Sequence, residues 1–311
     1  MTTPERVETI AVIGNGLMGH GIAQVFAVAG RAVCMIGRQD ESLAVALQKI
    51  DANLAEFVSH GLISQTDAAA ARGRISTSTD INDAASAQFV IEAVPAIREV
   101  QQEIFEKLDA LCPPPTILGS TSGQPISLMV DRMQHPERTV AVHFIYPAPL
   151  IPVVEVCAGP ATDDDVVPWV CDVLAAAGKT ATVVDREVDG FIVNRIQFAM
   201  LREAWSMWAN GIASAEAIDT TVRLSLGRRM SITGPIESAE VGGLDTLHGF
   251  GEFLFPTLDT AKAPPKEVGD LVKDGHRGLP SGKGIYDWSK RDGQALLKSR
   301  MEQLFRHLAD D

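Results

Sequence analysis

ETIAVIGNGLMGHGIAQVFAVAGRAVCMIGR, residues 8–38, reads as a single supersecondary unit. It opens with the apolar run Ile10, Ala11, Val12 and Ile13 and turns through Gly14-Asn15-Gly16-Leu17-Met18-Gly19. Small and apolar residues continue to Gly30, and the chain returns as Ala32-Val33-Cys34-Met35-Ile36. The order is strand, tight turn, helix, strand. A glycine-rich turn between a buried strand and a helix lets the backbone approach a pyrophosphate closely, with the helix's unpaired N–H groups and positive dipole end aimed at the anion. Glycines cluster in many loops, so the spacing counts here because it sits in the strand-to-helix context that the motif requires. Gly14, Gly16, Leu17, Met18 and Gly19 are therefore expected to line a dinucleotide site.

The end of the second strand bears on which dinucleotide. An NAD site usually places Asp or Glu roughly twenty residues past the glycines, where it binds the ribose 2′-hydroxyl and repels a 2′-phosphate. This chain has Gly37 there, followed by Arg38. Loss of the acid removes the repulsion and a guanidinium offers two donors to a phosphate, so the expected cofactor is NAD(P), with NADP favoured. The alternative is that Arg38 is a solvated loop residue and NAD binds through its other ribose contacts.

With 311 residues the chain can bury a large core and divide into two domains. Its 46% hydrophobic and 22% charged residues are those of an ordinary globular protein. A formal net charge of −13 and the lack of any lysine or arginine block argue against a nucleic-acid surface. The four cysteines, Cys34, Cys112, Cys157 and Cys171, lack metal-ligand spacing and read as reduced core thiols of a cytoplasmic protein. The first five residues carry no basic-then-apolar leader pattern, and no stretch approaches about 18 uninterrupted apolar residues, so neither export nor membrane insertion is expected.

Beyond Arg38, Leu43, Leu47, Ile50, Leu54, Phe57 and Val58 keep helical spacing across residues 40–61. A short polar stretch over 73–79 leads to the buried strand Phe89-Val90-Ile91-Glu92-Ala93-Val94. Residues 100–111 read as a helix stopped by Pro113-Pro114-Pro115. Thr116-Ile117-Leu118-Gly119 is the next strand. It ends in Ser120-Thr121-Ser122-Gly123, and strand ends of this kind face the ligand crevice of open α/β sheets. Ser122 is thus a candidate substrate contact, or else an N-cap. Strands follow at 139–142, running into His143-Phe144-Ile145-Tyr146-Pro147, and at 153–156, which carries Glu155.

His143 at the end of one strand and Glu155 on the next are placed to meet across neighbouring strands. Imidazole titrates near neutral pH and can accept a hydroxyl proton as hydride leaves, while a carboxylate behind it fixes the tautomer. Taken alone, His143 could equally be a satisfied core histidine and Glu155 a surface charge. A helix over 163–177 and a strand over 180–184 close a first domain, residues 1–187. After the composition shift at 187–190 no comparable strand pattern appears. Residues 188–311 read as a helical domain, with Asn194 in the first turns of a long helix over 191–210, a helix over 215–224 and a last one over 294–308. The whole is an α/β, Rossmann-type, doubly wound, mainly parallel sheet followed by helices.

With these residues in order, the chain resembles the 3-hydroxyacyl-CoA dehydrogenase family. The resemblance rests on IAVIGNGLMGHGIAQ (10–24), VIEAV (90–94), HFIYP (143–147), VEV (154–156), GFIVNR (190–195), GPIE (234–237) and SGKGIYDW (281–288). It implies an oxidoreductase in which His143 is the catalytic base paired with Glu155. Ser122 and Asn194 would hold the substrate oxygen, and Glu92 would lie near the cofactor ribose. It also implies a homodimer formed by the helical domain, which closes the cleft over the substrate.

Three departures shape the transfer. Gly37-Arg38 replaces the usual acid. Tyr146 stands where the family's HFFNP-like motif has asparagine, so its hydroxyl serves as a donor or its ring narrows the pocket. No lysine occurs between Lys49 and Lys107, leaving few cations there for CoA phosphates. These features point to relatives acting on small free acids. The segments 203–212 and 226–230 look like the branch containing L-gulonate 3-dehydrogenase, lambda-crystallin and carnitine dehydrogenase. In that loop Arg229, beside Arg228, could fork onto a substrate carboxylate, or both could make ordinary surface pairs. The expected reaction is hydride transfer between NAD(P) and C3 of a small L-3-hydroxy acid or its CoA thioester. The competing class is a non-catalytic, crystallin-like structural or cofactor-sensing protein.

Overall fold

A computed structural model describes residue 3 and residues 7–310. The remaining N-terminal residues, read above as lacking a leader pattern, lie outside the described ones. Contacts divide the chain into one unit of residues 1–194 with 300–311 and a second of residues 195–299.

The first unit alternates strands and helices from the start. β1 (Thr9–Ile13), α1 (Gly19–Val28), β2 (Ala32–Ile36), α2 (Asp40–Ser59), α3 (Gln65–Gly73) and β3 (Ile75–Ser78) form the opening half. β4 (Phe89–Glu92), α4 (Arg98–Leu111), β5 (Ile117–Ser120), β6 (Thr139–Phe144), β7 (Val153–Ala158), α5 (Val166–Ala176) and β8 (Thr180–Val183) complete it. The strands make one sheet in the order β3-β2-β1-β4-β5-β6-β7-β8. Every neighbouring pair is parallel except β6 and β7, which run antiparallel. This is the doubly wound, mainly parallel sheet expected from the sequence. The polar stretch at 73–79 becomes the edge strand β3, and α3, which the apolar spacing did not mark, precedes it.

Strand residues alternate between two apolar layers, as a sheet covered on both faces requires. Ile10 and Val12 of β1, Phe89 and Ile91 of β4, and Val140, Val142 and Phe144 of β6 enter the larger cluster. Ala11, Ile13, Val90 and Ala141 enter the smaller one on the opposite face, with Phe105 and Phe191. In the larger layer Phe26 meets Phe89 and Phe144 edge-on, at 6.4 and 6.3 Å, and Phe89 meets Trp169 at 5.6 Å. Each fully buried side chain of this size contributes about 1.5–3 kcal/mol relative to exposure.

The second unit is helical. α6 (Val193–Ala209) leads into it, and α7 (Ala215–Leu224), α8 (Leu226–Met230), α9 (Pro235–Gly242), α10 (Leu244–Leu254) and α11 (Lys266–Lys273) follow. α12 (Gly293–Asp310) ends the described chain, and its Phe305 returns to the first unit, edge-on to Phe57 at 5.4 Å. Among the described residues no helix is long and apolar enough to cross a membrane.

One buried cation braces the loop between β6 and β7. Lys179, 7% exposed, donates from Nζ to the carbonyls of Ala148 (2.7 Å) and Ile151 (2.9 Å). Burial lowers the pKa of this amine from 10.5 to about 8. Between those two values the unfolded chain binds more protons than the folded one, so the stability contributed here rises with pH across that window. Relative to a Lys179→Met variant, the wild-type chain is expected to gain roughly 2–3 kcal/mol of unfolding free energy between about pH 7.5 and pH 10. Urea denaturation at the two pH values reads this, and a flat difference would mean that the amine keeps its ordinary basicity.

Candidate active site

The glycine turn leaves β1 with its backbone held against two neighbouring strands. The Gly14 N–H donates to Ile36 O at 2.7 Å, and the Ala93 N–H, just past β4, donates to Ile13 O at 2.8 Å. Gly14 has φ +109°, and a Cβ there would lie 2.6 Å from Ala93 O. At Gly19, the first residue of α1, a Cβ would lie 1.9 Å from Gly14 O. Both glycines are thus enforced, one by conformation and contact, the other by contact alone. At Gly16, by contrast, a Cβ would meet nothing within 4 Å. The bare backbone of Gly16 faces open space at the start of a helix whose first turn carries no acid. Leu17 is exposed and Met18 half-buried against the larger cluster. His20 braces the turn, its Nδ1 2.6 Å from Gly16 O, and burial lowers its pKa. The residues present fit a dinucleotide pyrophosphate: an uncontested helix N-terminus behind a backbone cradle that a side chain would fill.

Gly37 and Arg38 lie just past β2. Arg38 is exposed and makes no ion pair with another described residue. Glu92, expected near the ribose, ends β4 fully buried at 0% exposure. Its carboxylate accepts from the Val94 N–H (2.7 Å), Ser120 Oγ (2.6 Å) and Gln101 Nε2 (3.1 Å), while burial pushes its pKa up. The carboxylate is therefore committed to protein donors and fixes the ends of β4 and β5 from within.

The antiparallel register of β6 and β7 sets His143 opposite Glu155. Alternation along both strands turns these residues to the face of the smaller apolar layer. His143 Nδ1 lies 2.6 Å from Glu155 Oε2, with exposures of 7% and 1%. Glu155 Oε1 accepts the N–H groups of Ile192 (2.8 Å) and Val193 (2.9 Å) at the start of α6. Acceptors on this carboxylate draw the ring proton to Nδ1 and leave Nε2 as the imidazole's basic atom.

Asn194 reaches the same place. A Cβ built on Gly123 would lie 2.9 Å from Asn194 Nδ2 and 3.4 Å from His143 Nε2, so the two side chains converge on one point beside the loop that leaves β5. Gly190 donates to Gly123 O at 2.7 Å, tying that loop to the segment before α6. Ser122, in the same loop, is buried; its Oγ accepts from the Gln124 N–H at 3.2 Å. Geometry thus gathers His143, Glu155, Asn194 and the Ser122 loop within the first unit. Such a set can take a proton at Nε2 and donate hydrogen bonds to an oxygen beside it.

Tyr146 follows β6 and is 51% exposed. Arg229 is exposed on α8 of the second unit.

The backbone that holds Glu155 is not marked by the spacing of the motif residues. Phe191 has φ +43°, unusual for an aromatic residue, and its buried ring packs 5.7 Å from that of His143. The available signal was GFIVNR at a helix start, where unpaired N–H groups need an acceptor.

The chain matches the family profile described as 3-hydroxyacyl-CoA dehydrogenase, NAD binding domain, over residues 9–188, and the C-terminal domain profile of the same family over residues 190–288. A probable 3-hydroxybutyryl-CoA dehydrogenase of Bacillus subtilis is 36% identical over 290 residues, 92% of this chain and 99% of that protein. The 5-formyl-3-hydroxy-2-methylpyridine 4-carboxylate 5-dehydrogenase of Mesorhizobium japonicum is 31% identical over 307 residues, 96% of each. A crystal structure of an enzyme of that activity, described as an NAD+ dependent dismutase, matches with a TM-score of 0.89 at 28% identity, over 97% of this chain and 99% of that one.

The two kinds of glycine contact separate folding from binding. Gly19→Ala is expected to destabilise the protein by roughly 3 kcal/mol or more, because a methyl meets fixed backbone. Gly16→Ala should melt like the wild type yet bind dinucleotide about tenfold or more weakly. Thermal unfolding and cofactor titration distinguish them; equal effects in both assays would refute the cradle.

Proposed function

The chain belongs to the 3-hydroxyacyl-CoA dehydrogenase family of NAD(P)-dependent oxidoreductases. On that premise we propose that it transfers a hydride between NAD(P), with NADP favoured by Gly37-Arg38, and C3 of a small L-3-hydroxy acid or its CoA thioester, with His143 and Glu155 as the proton-transfer pair. The reading rests above all on the bond between His143 Nδ1 and Glu155 Oε2, buried beside the amide of Asn194.

The bound nicotinamide supplies the hydride acceptor, or in reverse the donor. His143 Nε2 takes the substrate's hydroxyl proton as C3 is oxidised and returns it in the other direction. The imidazolium so formed is stabilised by Glu155, which stays pinned by the Ile192 and Val193 N–H groups and keeps the ring in one orientation. Asn194 and Ser122 donate to the oxygen where negative charge builds. Arg38 serves the adenosine 2′-phosphate, and Glu92 holds the strand ends beside the ribose.

The scarcity of lysine between Lys49 and Lys107 favours a small free acid over a CoA thioester. The relatives' names span both, one a CoA thioester and one a pyridine carboxylate. Tyr146 lines the pocket near the base. Residues 1–187 form the cofactor domain and 188–311 the substrate and dimerisation domain of a cytoplasmic homodimer. Support for the dimer comes from the second unit: Ile232, Ile236, Val241, Phe253 and Phe255 are each 70–83% exposed, apolar surface of a kind that isolated subunits rarely leave in water.

Purified protein supplied with NADPH is expected to reduce small 3-oxo acids, and His143→Ala to lower turnover by roughly 10²- to 10⁴-fold while cofactor affinity survives. Undiminished turnover of that variant would remove the assigned base, and binding without turnover of any 3-oxo compound would favour the crystallin-like class. For the assembly, light scattering after size exclusion should give a dimer that Phe253→Asp with Val241→Asp converts to monomer; a monomeric wild type would end that reading.

A further inference from the structure

We propose that Asn15 is a cofactor-selecting residue: by filling the space beside Gly37 it bars the carboxylate that would select an unphosphorylated adenosine ribose. The inference deepens the NADP reading above and rests on it for the direction of the preference.

Residues 15 and 37 follow neighbouring parallel strands whose last paired residues are Ile13 and Ile36. A glycine after β2 is ordinarily explained by a left-handed backbone, but Gly37 is not among the positive-φ residues, so its conformation accepts any side chain. Contact is what excludes one. A Cβ at 37 would lie 2.7 Å from Asn15 Oδ1, and 2.9 and 3.0 Å from Cδ2 and Cγ of Leu43. Leu43 belongs to the larger apolar layer and is 2% exposed.

Asn15 does not simply swing aside. Its Nδ2 donates to Ser42 Oγ at 3.0 Å, and that hydroxyl donates to Gln39 O at 2.8 Å, a relay that anchors the amide on the first turn of α2. The Asn15 side chain occupies volume that a side chain at 37 would need, and a neutral amide stands where a ribose-binding acid would stand. The acids Asp40 and Glu41 lie further on, in the first turn of α2, and neither takes the strand-end position. Arg38 is left beside the site with no described ion-pair partner to release before a phosphate binds.

The test is a double-mutant cycle on positions 15 and 37 with two readouts. In the protein without cofactor, Gly37→Asp should lower the melting temperature, and the drop should be smaller in an Asn15→Ala background because only the Leu43 contact then remains. By calorimetric titration, the wild type should bind NADPH about tenfold or more tightly than NADH. Gly37→Asp alone should weaken both, and Asn15→Ala with Gly37→Asp should invert the preference. An equal melting penalty in both backgrounds would overturn the role of Asn15 whichever cofactor binds. A wild type that prefers NADH while the melting coupling holds would overturn the NADP reading and leave the steric exclusion standing.

Discussion

Glu155 is held from two directions, and the geometry of the site depends on that. One oxygen accepts a hydrogen bond from His143 Nδ1, the other from two backbone N–H groups at the start of α6. A carboxylate 1% exposed would be costly without such partners, because burial removes its hydration. The sheet supplies the meeting through its one antiparallel pair. A parallel return needs a crossover of about a dozen residues or more, usually with a helix. The return from β6 to β7 needs only a short loop, so a histidine and a glutamate close in sequence face each other in register.

The second half of the clamp comes from a strained turn. Phe191 at φ +43° follows Gly190 at φ +81°, and together they aim the Ile192 and Val193 N–H groups at Glu155. A non-glycine residue in that region costs about 1–3 kcal/mol. The buried Phe191 ring against His143 and the two charge-assisted amide bonds offset it. The same turn starts α6 and so places Asn194, which explains why residues as late as 194 pack with the sheet and not with the helices that follow.

Much of this was legible in the sequence because apolar runs and glycine spacing speak directly. β1, β4, β5 and β6 are buried on both faces, and these strands and the partly covered β2 read as near-continuous apolar runs. β3, with the sequence ISTS, is an edge strand paired on one side only and carries no such run. α3 is alanine-rich and buries only Ala68 and Ala71, too few apolar positions to show a period. His143 and Glu155 are legible as a pair, but the amides behind Glu155 leave only the helix start at GFIVNR as a signal, since backbone donors are not marked by side-chain identity. Gly37 stands out in the sequence for the acid it lacks; the side chains that crowd it, Leu43 and Asn15, the latter twenty-two positions earlier, are adjacent to it only in the fold.

The buried ionisable groups extend the logic of the clamp to the whole edge of the sheet. Glu92 ends β4, His143 lies near the end of β6, Glu155 sits early in β7, and Lys179 immediately precedes β8. Because β7 and β8 run opposite to β4 and β6, these four positions share one edge of the sheet, the edge at which the glycine turn leaves β1. Glu92 fixes the turn after β4, and Lys179 fixes the loop joining β6 to β7. Loops at strand ends carry backbone groups that no ladder satisfies, and a buried charge can satisfy two or three of them at once. Apolar packing alone would leave those loops free to shift; the buried charges trade some stability for fixed position where fractions of an ångström matter to proton transfer. Arg138, buried at the start of β6 and bonded to Asp109 and the carbonyls of Cys112 and Pro113, does the same at the opposite edge, where no chemistry is expected. The device is therefore general to this fold's loops, and what makes one edge a site is the convergence there of a basic imidazole nitrogen and an uncontested helix N-terminus.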